Sequence, residues 1–272
     1  MSGDGFLAAC VQMRCGDDKQ RNRERAATLV ADAAARGARL VVLPEMFFWR
    51  GPPERQRAEA EPLDGPTLGA MSGLARRHRI VLVAGSIFER ASDAELPFNT
   101  CAVFGEDGAL LGSYRKIHLF DVEIPGAVSV RESERVGAGT TPVCVDTSVG
   151  RLGLSVCYDL RFPELYRRLV DDGAELLCVP SAFTFTTGAA HWELLLRARA
   201  VENQCWVLAP NQTGPVEHGP LVWGHSSIVD PWGTVAACAS EGDSVAVAKV
   251  DFALQAEVRR NLPALAHRRV RS

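Results

Sequence analysis

Apolar residues near the start of the chain alternate between a helical and a strand-like spacing. Five of them recur at intervals of three and four residues, as in an amphipathic helix: Ala26, Leu29, Val30, Ala33 and Ala34. Gly37 ends this helix, and the apolar run 40–43 that follows is typical of a strand buried on both faces. A second helix is predicted over 64–75, and a second buried strand follows it at 80–83.

The second half of the chain repeats this order of elements. The segment 173–180 matches 37–44 at an offset of 136 residues, and 205–208 matches 80–83 at an offset of 125. Each half ends in a predicted hairpin, the first over 101–114. We therefore predict an α/β fold of two similar halves, whose sheets pack face to face with helices outside in a four-layer α-β-β-α sandwich.

The two halves are joined by residues 117–150, without a linker rich in Pro or Ser. The length of 272 residues fits one or two domains. The missing linker favours a single domain over 1–272, with a C-terminal arm at approximately 252–272. The arginines of this arm are expected at a solvated helix end and at a subunit interface: Arg259, Arg260, Arg268, Arg269 and Arg271.

Charge and hydropathy exclude several classes of partner. A formal net charge of −3 gives no reason to expect nucleic acid or an acidic membrane surface. The longest uncharged stretch, 176–190, contains Pro180 and Gly188 and could not span a bilayer, and the N-terminus does not resemble a signal peptide. We therefore expect a cytoplasmic protein whose eight cysteines are reduced thiols rather than disulfide partners or zinc ligands.

Three reactive side chains follow predicted strands, where open α/β sheets gather their functional groups. Glu45 precedes an aromatic run, a setting in which desolvation would raise the pKa of a carboxyl group. Lys116 follows the hairpin, and Cys157 lies at a strand-to-helix turn where a helix N-terminus favours the thiolate. Each residue also has an ordinary interpretation, as a solvated charge or as a buried structural cysteine.

Strand alternation places Gly153 and Ser155 on the same face as Cys157, where their small side chains would leave room for a ligand. Ser155 itself is a weaker candidate for the nucleophile. The sequence has no G-x-S-x-G motif, and no histidine is obviously placed as its base.

Three segments around these residues resemble the nitrilase (carbon–nitrogen hydrolase) superfamily, and the resemblance covers essentially the whole chain. The segments are Leu43-Pro44-Glu45, Tyr114-Arg115-Lys116-Ile117-His118-Leu119-Phe120 and Gly153-Leu154-Ser155-Val156-Cys157-Tyr158-Asp159-Leu160-Arg161-Phe162-Pro163-Glu164-Leu165. Three motifs in this order are far more specific than one short motif. The resemblance implies an α-β-β-α fold and a catalytic triad of Glu45, Lys116 and Cys157.

The mechanism implied by the resemblance is amide hydrolysis through a cysteine thioester. Glu45 takes the thiol proton, and Cys157 attacks the amide carbonyl while Lys116 and the backbone N–H of Tyr158 hold the oxyanion. Ammonia leaves with a proton from Glu45, which then activates the water that hydrolyses the thioester. Glu132 is expected to orient Lys116 or the substrate. The resemblance implies no metal or cofactor and at least a homodimer.

Further motifs resemble the Nit branch of the superfamily, which includes deaminated glutathione amidases and ω-amidases. They are Asp121-Val122-Glu123-Ile124-Pro125-Gly126, Pro180-Ser181-Ala182-Phe183, the segment 190–200, and Asp230-Pro231-Trp232-Gly233-Thr234. These motifs imply a small amide that bears a carboxylate, with deaminated glutathione as the first candidate and α-ketoglutaramate as the alternative. The predicted substrate-binding residues are Arg161, Trp49 and Phe183. Arg161 has the alternative role of an ion-pair partner for Glu164 or Asp159.

Two other functions stay open at this point. A nitrilase or an N-carbamoyl amidase would share the superfamily motifs, and hydrolysis of ω-amides but not of nitriles or carbamoyl amino acids would separate them. A non-catalytic nitrilase-like scaffold is the remaining alternative, which the presence of Glu45, Lys116, Glu132 and Cys157 disfavours.

Overall fold

Two six-stranded sheets form the centre of the protein, seen in a computed structural model that describes residues 5–126, 128–215 and 217–270. The strands are β1 (Phe6–Gln12), β2 (Ala38–Val42), β3 (Val81–Glu89), β4 (Phe98–Phe104), β5 (Leu110–Arg115), β6 (Asp121–Ile124), β7 (Val128–Arg131), β8 (Val143–Thr147), β9 (Gly150–Leu154), β10 (Leu176–Cys178), β11 (Trp206–Ala209), β12 (Thr213–Gly214), β13 (Val222–Trp223), β14 (Ser227–Val229), β15 (Val235–Cys238) and β16 (Ser244–Val250).

The helices lie along the chain between these strands. They are α1 (Lys19–Ala35), α2 (Gln56–Glu59), α3 (Pro66–His78), α4 (Pro163–Asp171), α5 (Phe185–Asn203) and α6 (Phe252–Asn261), with short 3₁₀ helices at Pro53–Arg55, Glu132–Glu134 and Cys157–Arg161. Among the described residues, no helix is both long enough and apolar enough to cross a membrane.

The strand order confirms the predicted repeat of two halves. The first sheet runs β16-β1-β2-β3-β4-β5 and the second runs β15-β14-β11-β10-β9-β8. In each sheet three neighbouring strands are parallel, β1 to β3 in the first and β9 to β11 in the second. The hairpins correspond as well, because Phe104 pairs with Leu110 and Val229 pairs with Val235, both at the offset of 125.

The two edge strands beside β1 and β9 were not predicted from the sequence. β16 comes from the far end of the chain and pairs antiparallel with β1, as β8 does with β9. The segment 117–150, expected only to connect the halves, therefore contributes β8 to the second sheet and also forms the separate β6–β7 hairpin.

Side-chain alternation along β1 explains how the four layers are held together. Phe6, Ala8 and Cys10 belong to the core that includes the second sheet, whereas Ala9 and Val11 belong to the core beneath α1 and α3. The Cys10 thiol reaches the second sheet directly, since it donates a hydrogen bond to the carbonyl of Ser227 at 3.5 Å. Helix α4 covers the outer face of β9, and the predicted four-layer order is thus confirmed.

The C-terminal arm begins at α6 and binds the second half of the chain. Arg259 donates to the carbonyl of Gln204 at 3.0 Å, and Arg268 forms an ion pair with Asp171. Two of the five arginines are therefore engaged within the chain, while Arg271 lies outside the described residues.

A bulge in β3 supports the chain just before Glu45. The register of β3 on β4 shifts between Ala84 and Ile87, and Gly85 within this shift has a φ of +28°. A Cβ at Gly85 would lie 1.9 Å from the carbonyl oxygen of Pro44. The hydroxyl of Ser86 accepts a hydrogen bond from the N–H of Met46 at 3.1 Å, so the bulge holds both sides of Glu45.

We expect Gly85→Ala to destabilise the protein by about 1–3 kcal/mol, because the added methyl overlaps backbone that has little room to move. Chemical denaturation measures this change. Gly69→Ala is the matched control: this exposed glycine of α3 has nothing within 4 Å of a new Cβ, so it should gain about 0.5–1 kcal/mol. Equal stability of Gly85→Ala and the wild type would contradict the role given to the bulge.

Candidate active site

Glu45 lies three residues beyond the end of β2 and is almost completely buried, with 2% of its surface exposed. Its Oε1 accepts hydrogen bonds from Asn99 Nδ2 at 2.8 Å and from Lys116 Nζ at 3.1 Å, and its Oε2 accepts one from the N–H of Ala182 at 2.9 Å. The predicted apolar surroundings of Glu45 are therefore wrong, because the aromatic residues that follow it face away from its carboxylate and polar donors occupy both oxygens.

Lys116 follows β5 and joins two carboxylates in the interior of the protein. Its Nζ lies 2.9 Å from Glu132 Oε2 and 3.1 Å from Glu45 Oε1. Burial alone lowers the pKa of Lys116, but the attraction of Glu132 and Glu45 outweighs burial and raises this pKa well above its usual value. Lys116 is consequently a permanent cation.

Two further groups fix the geometry of this charge cluster, which we define as Glu45, Lys116 and Glu132. Asn99, on β4, donates to both carboxylates, at 2.8 Å to Glu45 and at 3.3 Å to Glu132. The N–H of Phe120 donates to Glu132 Oε2 at 2.6 Å. Sequence reasoning missed Asn99, since a lone asparagine within a strand carries no distinctive signal.

Cys157 begins the 3₁₀ helix that follows β9, with a left-handed φ of +49°. Its N–H donates to the carbonyl of Pro180 at 2.9 Å, which continues the pairing of β9 with β10 beyond the strand ends. A non-glycine residue is rare in this conformation and occurs where surrounding structure holds it, often at functional sites. The turn directs Cys157 toward the charge cluster.

The surroundings of Cys157 favour the neutral thiol. Burial raises the pKa of Cys157 well above its usual value, and the Glu45 carboxylate raises it further. Lys116 and a hydrogen bond from the N–H of Ala182 lower this pKa, but they do not outweigh the first two causes. The expectation that a helix N-terminus stabilises the thiolate is therefore wrong for the resting site, where Cys157 needs a base in order to react.

A cavity of about 150 Å³ borders Cys157 and all three members of the charge cluster. Two of the predicted substrate-binding residues, Arg161 and Phe183, line it, and so does Tyr158. The guanidinium of Arg161 lies over the rings of Phe183 and Tyr158, 5.2 and 5.7 Å from their centres. Within the described parts of the chain, no ion pair joins Arg161 to Glu164 or Asp159, so the structural alternative for Arg161 is not supported.

The backbone N–H of Tyr158 is placed to bind an anion. Tyr158 is the second residue of its 3₁₀ helix, where an N–H group has no partner inside the helix. Throughout residues 5–126, 128–215 and 217–270, no group accepts a hydrogen bond from this N–H. It follows Cys157 directly in the chain and is therefore near the sulfur.

The predicted contact of Trp49 with the substrate is corrected by the structure. Trp49 is 1% exposed and does not line the cavity, and its ring packs on Phe88 with 6.2 Å between the centres. Met46 has a φ of +49°, which turns the chain so that three successive aromatic rings enter the core beneath the first sheet. Arg50, the next residue, reaches the cavity instead.

Ser155 and Gly153 also lie away from the cavity. β9 ends at Leu154, and Cys157 lies beyond it in a turn. Strand alternation therefore does not extend to Cys157, and the side chains of Ser155 and Cys157 need not share a face. The hydroxyl of Ser155 bonds to Tyr166 and to the carbonyl of Cys178, both at 2.8 Å, and Gly153 packs under α4. Neither residue provides room for a ligand, and Ser155 does not face the charge cluster.

Asp159 connects the turn of Cys157 to the segment that carries Lys116. Its buried carboxylate accepts hydrogen bonds from Tyr114 Oη at 2.7 Å, from the N–H of Val156 at 2.8 Å and from the N–H of His118 at 3.0 Å. The ring Nδ1 of His118 is a fourth neighbour at 2.7 Å. Asp159 therefore fixes the turn that carries Cys157 to the segment that carries Lys116, through Val156 on one side and Tyr114 and His118 on the other.

Comparison with known proteins places this geometry in context. A family model described as "Carbon-nitrogen hydrolase" matches residues 7–260 of the chain. This match confirms the resemblance seen in the three motifs that carry Glu45, Lys116 and Cys157.

Two curated relatives are similar over nearly the whole chain. The mouse protein named deaminated glutathione amidase is 44% identical over 268 residues, which cover 97% of this chain and 83% of the relative. The human protein named omega-amidase is 39% identical over 264 residues, covering 97% of this chain and 95% of the relative. Both resemblances to the Nit branch are thus confirmed.

Among solved structures, the NitFhit protein of Caenorhabditis elegans superimposes with a TM-score of 0.91 at 42% sequence identity. The match covers 99% of this chain and 66% of that longer chain. The four-layer architecture is accordingly shared with a protein of known structure.

We expect Asp159→Asn to destabilise the protein by about 1–3 kcal/mol, because an amide nitrogen would then face donors that have lost their acceptor. Urea denaturation measures this change. The matched control is Asp146→Asn, since Asp146 has 79% of its side chain exposed and its ion pair with Arg151 should contribute less than about 1 kcal/mol. Equal effects of the two substitutions would contradict the connecting role of Asp159.

Proposed function

The chain belongs to the carbon–nitrogen hydrolase family, and on that premise we propose that it hydrolyses a small amide bearing a carboxylate through a thioester on Cys157. The observation that carries this proposal is the meeting of a buried, charged Lys116, its two carboxylates and the Cys157 thiol at one cavity. The family and its amidase-named relatives make the chain an amide-hydrolysing enzyme.

Glu45 is the proposed general base for the attack of Cys157. The raised pKa of Cys157 keeps the resting sulfur protonated, so nucleophilic attack requires proton transfer as the carbon–sulfur bond forms. Both carboxylates bind Lys116, but Glu45 is the one that interacts with the Cys157 sulfur. After the transfer, Glu45 is neutral and holds the proton that the leaving group needs.

Lys116 and the N–H of Tyr158 are the proposed partners of the developing oxyanion. Attack of the sulfur places a negative charge on the carbonyl oxygen, and fixed donors in a site that excludes water stabilise this charge most effectively. Lys116 is held in place by Glu45 and Glu132 before the substrate arrives. Glu132 is therefore a positioning residue, and the removal of its charge should weaken the hold on Lys116.

Collapse of the tetrahedral intermediate completes the first half of the reaction. The carbon–nitrogen bond breaks, the nitrogen leaves with the proton held by Glu45, and the acyl group stays on Cys157 as a thioester. Glu45, ionised again, removes a proton from water as the water attacks the thioester carbon. The thiolate leaves with that proton, which regenerates the neutral Cys157 and releases the carboxylic acid.

The substrate is proposed to present its carboxylate to Arg161 and its apolar part to Phe183. Deaminated glutathione and α-ketoglutaramate both fit this description, and both have support from relatives, at 44% and 39% identity respectively. The leaving groups differ. The ammonia expected from the sequence fits α-ketoglutaramate, which is a primary amide. For deaminated glutathione this expectation is corrected, because that molecule contains only secondary amides and releases an amine.

We expect Cys157→Ala to abolish hydrolysis of both substrates and Glu45→Gln to lower kcat at least about 100-fold, since general-base catalysis contributes about 10²–10⁴. Ammonia release from α-ketoglutaramate and amine release from deaminated glutathione, compared as kcat/KM, measure the effect and choose between the substrates. Cys238→Ala is the control, because this exposed cysteine lies outside the cavity and should leave both rates unchanged. Amide hydrolysis by Cys157→Ala would contradict the proposal.

We also propose a homodimer, a single domain over 1–272 and a cytoplasmic location. The single domain is supported by the core that the two sheets share, and the location by eight cysteines that are all free. The dimer is supported by an exposed apolar patch, defined as Leu194, Val201 and Trp232. Leu194 and Val201 lie two turns apart on α5, and the turn after Trp232 packs beside Val201.

We expect Leu194→Glu to convert the dimer to a monomer, because a charge would be buried at the proposed interface. Light scattering after size-exclusion chromatography gives the mass directly. Leu111→Glu, at an exposed leucine of β5 outside the patch, should leave the mass of the wild type unchanged. A wild-type monomer, or a dimer that survives Leu194→Glu, would count against this interface.

A further inference from the structure

Three arginines line the cavity without a carboxylate partner among the described residues. They are Arg50, Arg135 and Arg161, none of which lies within 4 Å of an acidic side chain in those parts of the chain. Together with Lys116, four cationic side chains border the cavity against two carboxylates, Glu45 and Glu132, which leaves an excess of two positive charges. This excess is more than one substrate carboxylate would balance.

Arg50 is held in place by two hydrogen bonds from its guanidinium. Its Nη1 donates to Gln212 Oε1 at 3.0 Å and its Nη2 donates to the carbonyl of Pro220 at 3.3 Å, so both hydrogen-bond partners are neutral. Burial lowers the pKa of Arg50, although Cys15 and Glu45 partly oppose this effect. A half-buried guanidinium whose two hydrogen-bond partners are neutral is a favourable partner for an anion that enters the cavity.

Arg50 and Arg161 lie at different parts of the cavity. Gln212 links Arg50 to the backbone of Glu45, because its Nε2 donates to the backbone carbonyl of that residue at 2.7 Å, and Arg50 lines the same cavity as the Glu45 side chain. Arg161 belongs to a different part of the site, the 3₁₀ helix after Cys157, and stacks on Tyr158 and Phe183. The two guanidinium groups are thus carried by different halves of the chain and reach the cavity from different elements.

We propose that Arg50 binds a second carboxylate, carried by the amine portion of the substrate, while Arg161 binds the carboxylate of the acyl portion. This inference rests on the proposed function, in which Glu45 gives its proton to the leaving nitrogen. The leaving nitrogen must therefore lie beside Glu45, and the group attached to it extends toward Arg50. Arg50 is thus inferred to be a specificity-determining residue that selects, among the substrates of the proposed function, secondary amides with a carboxylate on the leaving group.

The test compares two γ-amides of 2-oxoglutarate that differ only in the second carboxylate, one formed with glycine and the other with methylamine. Arg50→Gln should lower kcat/KM for the glycine amide by about 10- to 100-fold, the range expected for a hydrogen bond to a charged group. The same variant should change kcat/KM for the methylamide by less than about threefold. The loss should appear mainly in KM, because the second carboxylate is bound equally before and during the reaction.

Two further variants separate binding from support of the fold. Arg50→Lys keeps the charge but not the planar pair of donors, and should restore part of the loss for the glycine amide only. Arg57→Gln, at an exposed arginine outside the cavity, should change neither rate. An equal loss for both amides in Arg50→Gln would overturn the proposal, since it would show that Arg50 only holds Gln212 in place. An unchanged preference for the glycine amide would overturn it as well.

Calorimetry measures substrate binding without turnover, and so tests the role of Arg50 independently of catalysis. The glycine amide should bind to Cys157→Ala about 10- to 100-fold more tightly than to the double variant Cys157→Ala, Arg50→Gln. Equal binding to the two would overturn the second carboxylate site. If the glycine amide binds as expected but the wild type cleaves neither amide, the proposed function fails while the role of Arg50 stands.

Discussion

The ion pairs of Lys116 with Glu45 and Glu132 are the constraint on which the rest of the site depends. A lysine that is 2% exposed keeps its charge only because carboxylates lie 2.9 and 3.1 Å from it. Removal of one partner from such a buried pair costs about 3–5 kcal/mol, because the other charge is left uncompensated. Glu45 is 71 residues from Lys116 in the chain, so the cluster forms only when the two segments have reached their folded positions.

The fold brings the segments together through the ends of its parallel strands. Glu45 follows β2 of the first sheet, and Cys157 follows β9 of the second. Because the sheets pack face to face, both strand ends open into one cavity. The same cluster sets the chemistry: burial and the negative charge of Glu45 raise the pKa of Cys157 and keep the thiol protonated, and this carboxylate is then the proposed acceptor for the proton. Lys116, already charged and fixed, needs no rearrangement to stabilise an oxyanion.

The sequence predicted the architecture well where periodicity or repetition carries the information. Offsets of 136 and 125 residues matched strands and hairpins that the structure pairs in the same way. The pairing of β16 with β1 escaped notice, since a contact between the two ends of a chain leaves no local pattern. At the site, Trp49 was wrongly predicted to bind the substrate and Arg50 was missed, for a related reason. The positive φ of Met46 changes the chain direction after Glu45. The side-chain periods of a strand and of a helix therefore both fail to predict which residue faces the cavity. Asn99 and Asp159 act through contacts across the fold, which residue type alone does not indicate.

The central claim is that the charge cluster makes Cys157 a nucleophile that carries the acyl group. Mass spectrometry of enzyme quenched in acid during the first turnover tests it most directly. The account predicts a transient mass increase equal to the acyl portion of the substrate, located on the peptide that contains Cys157 and absent from Cys157→Ala. Product that accumulates without any acylated enzyme, or an acyl group on another residue such as Cys238, would contradict the account.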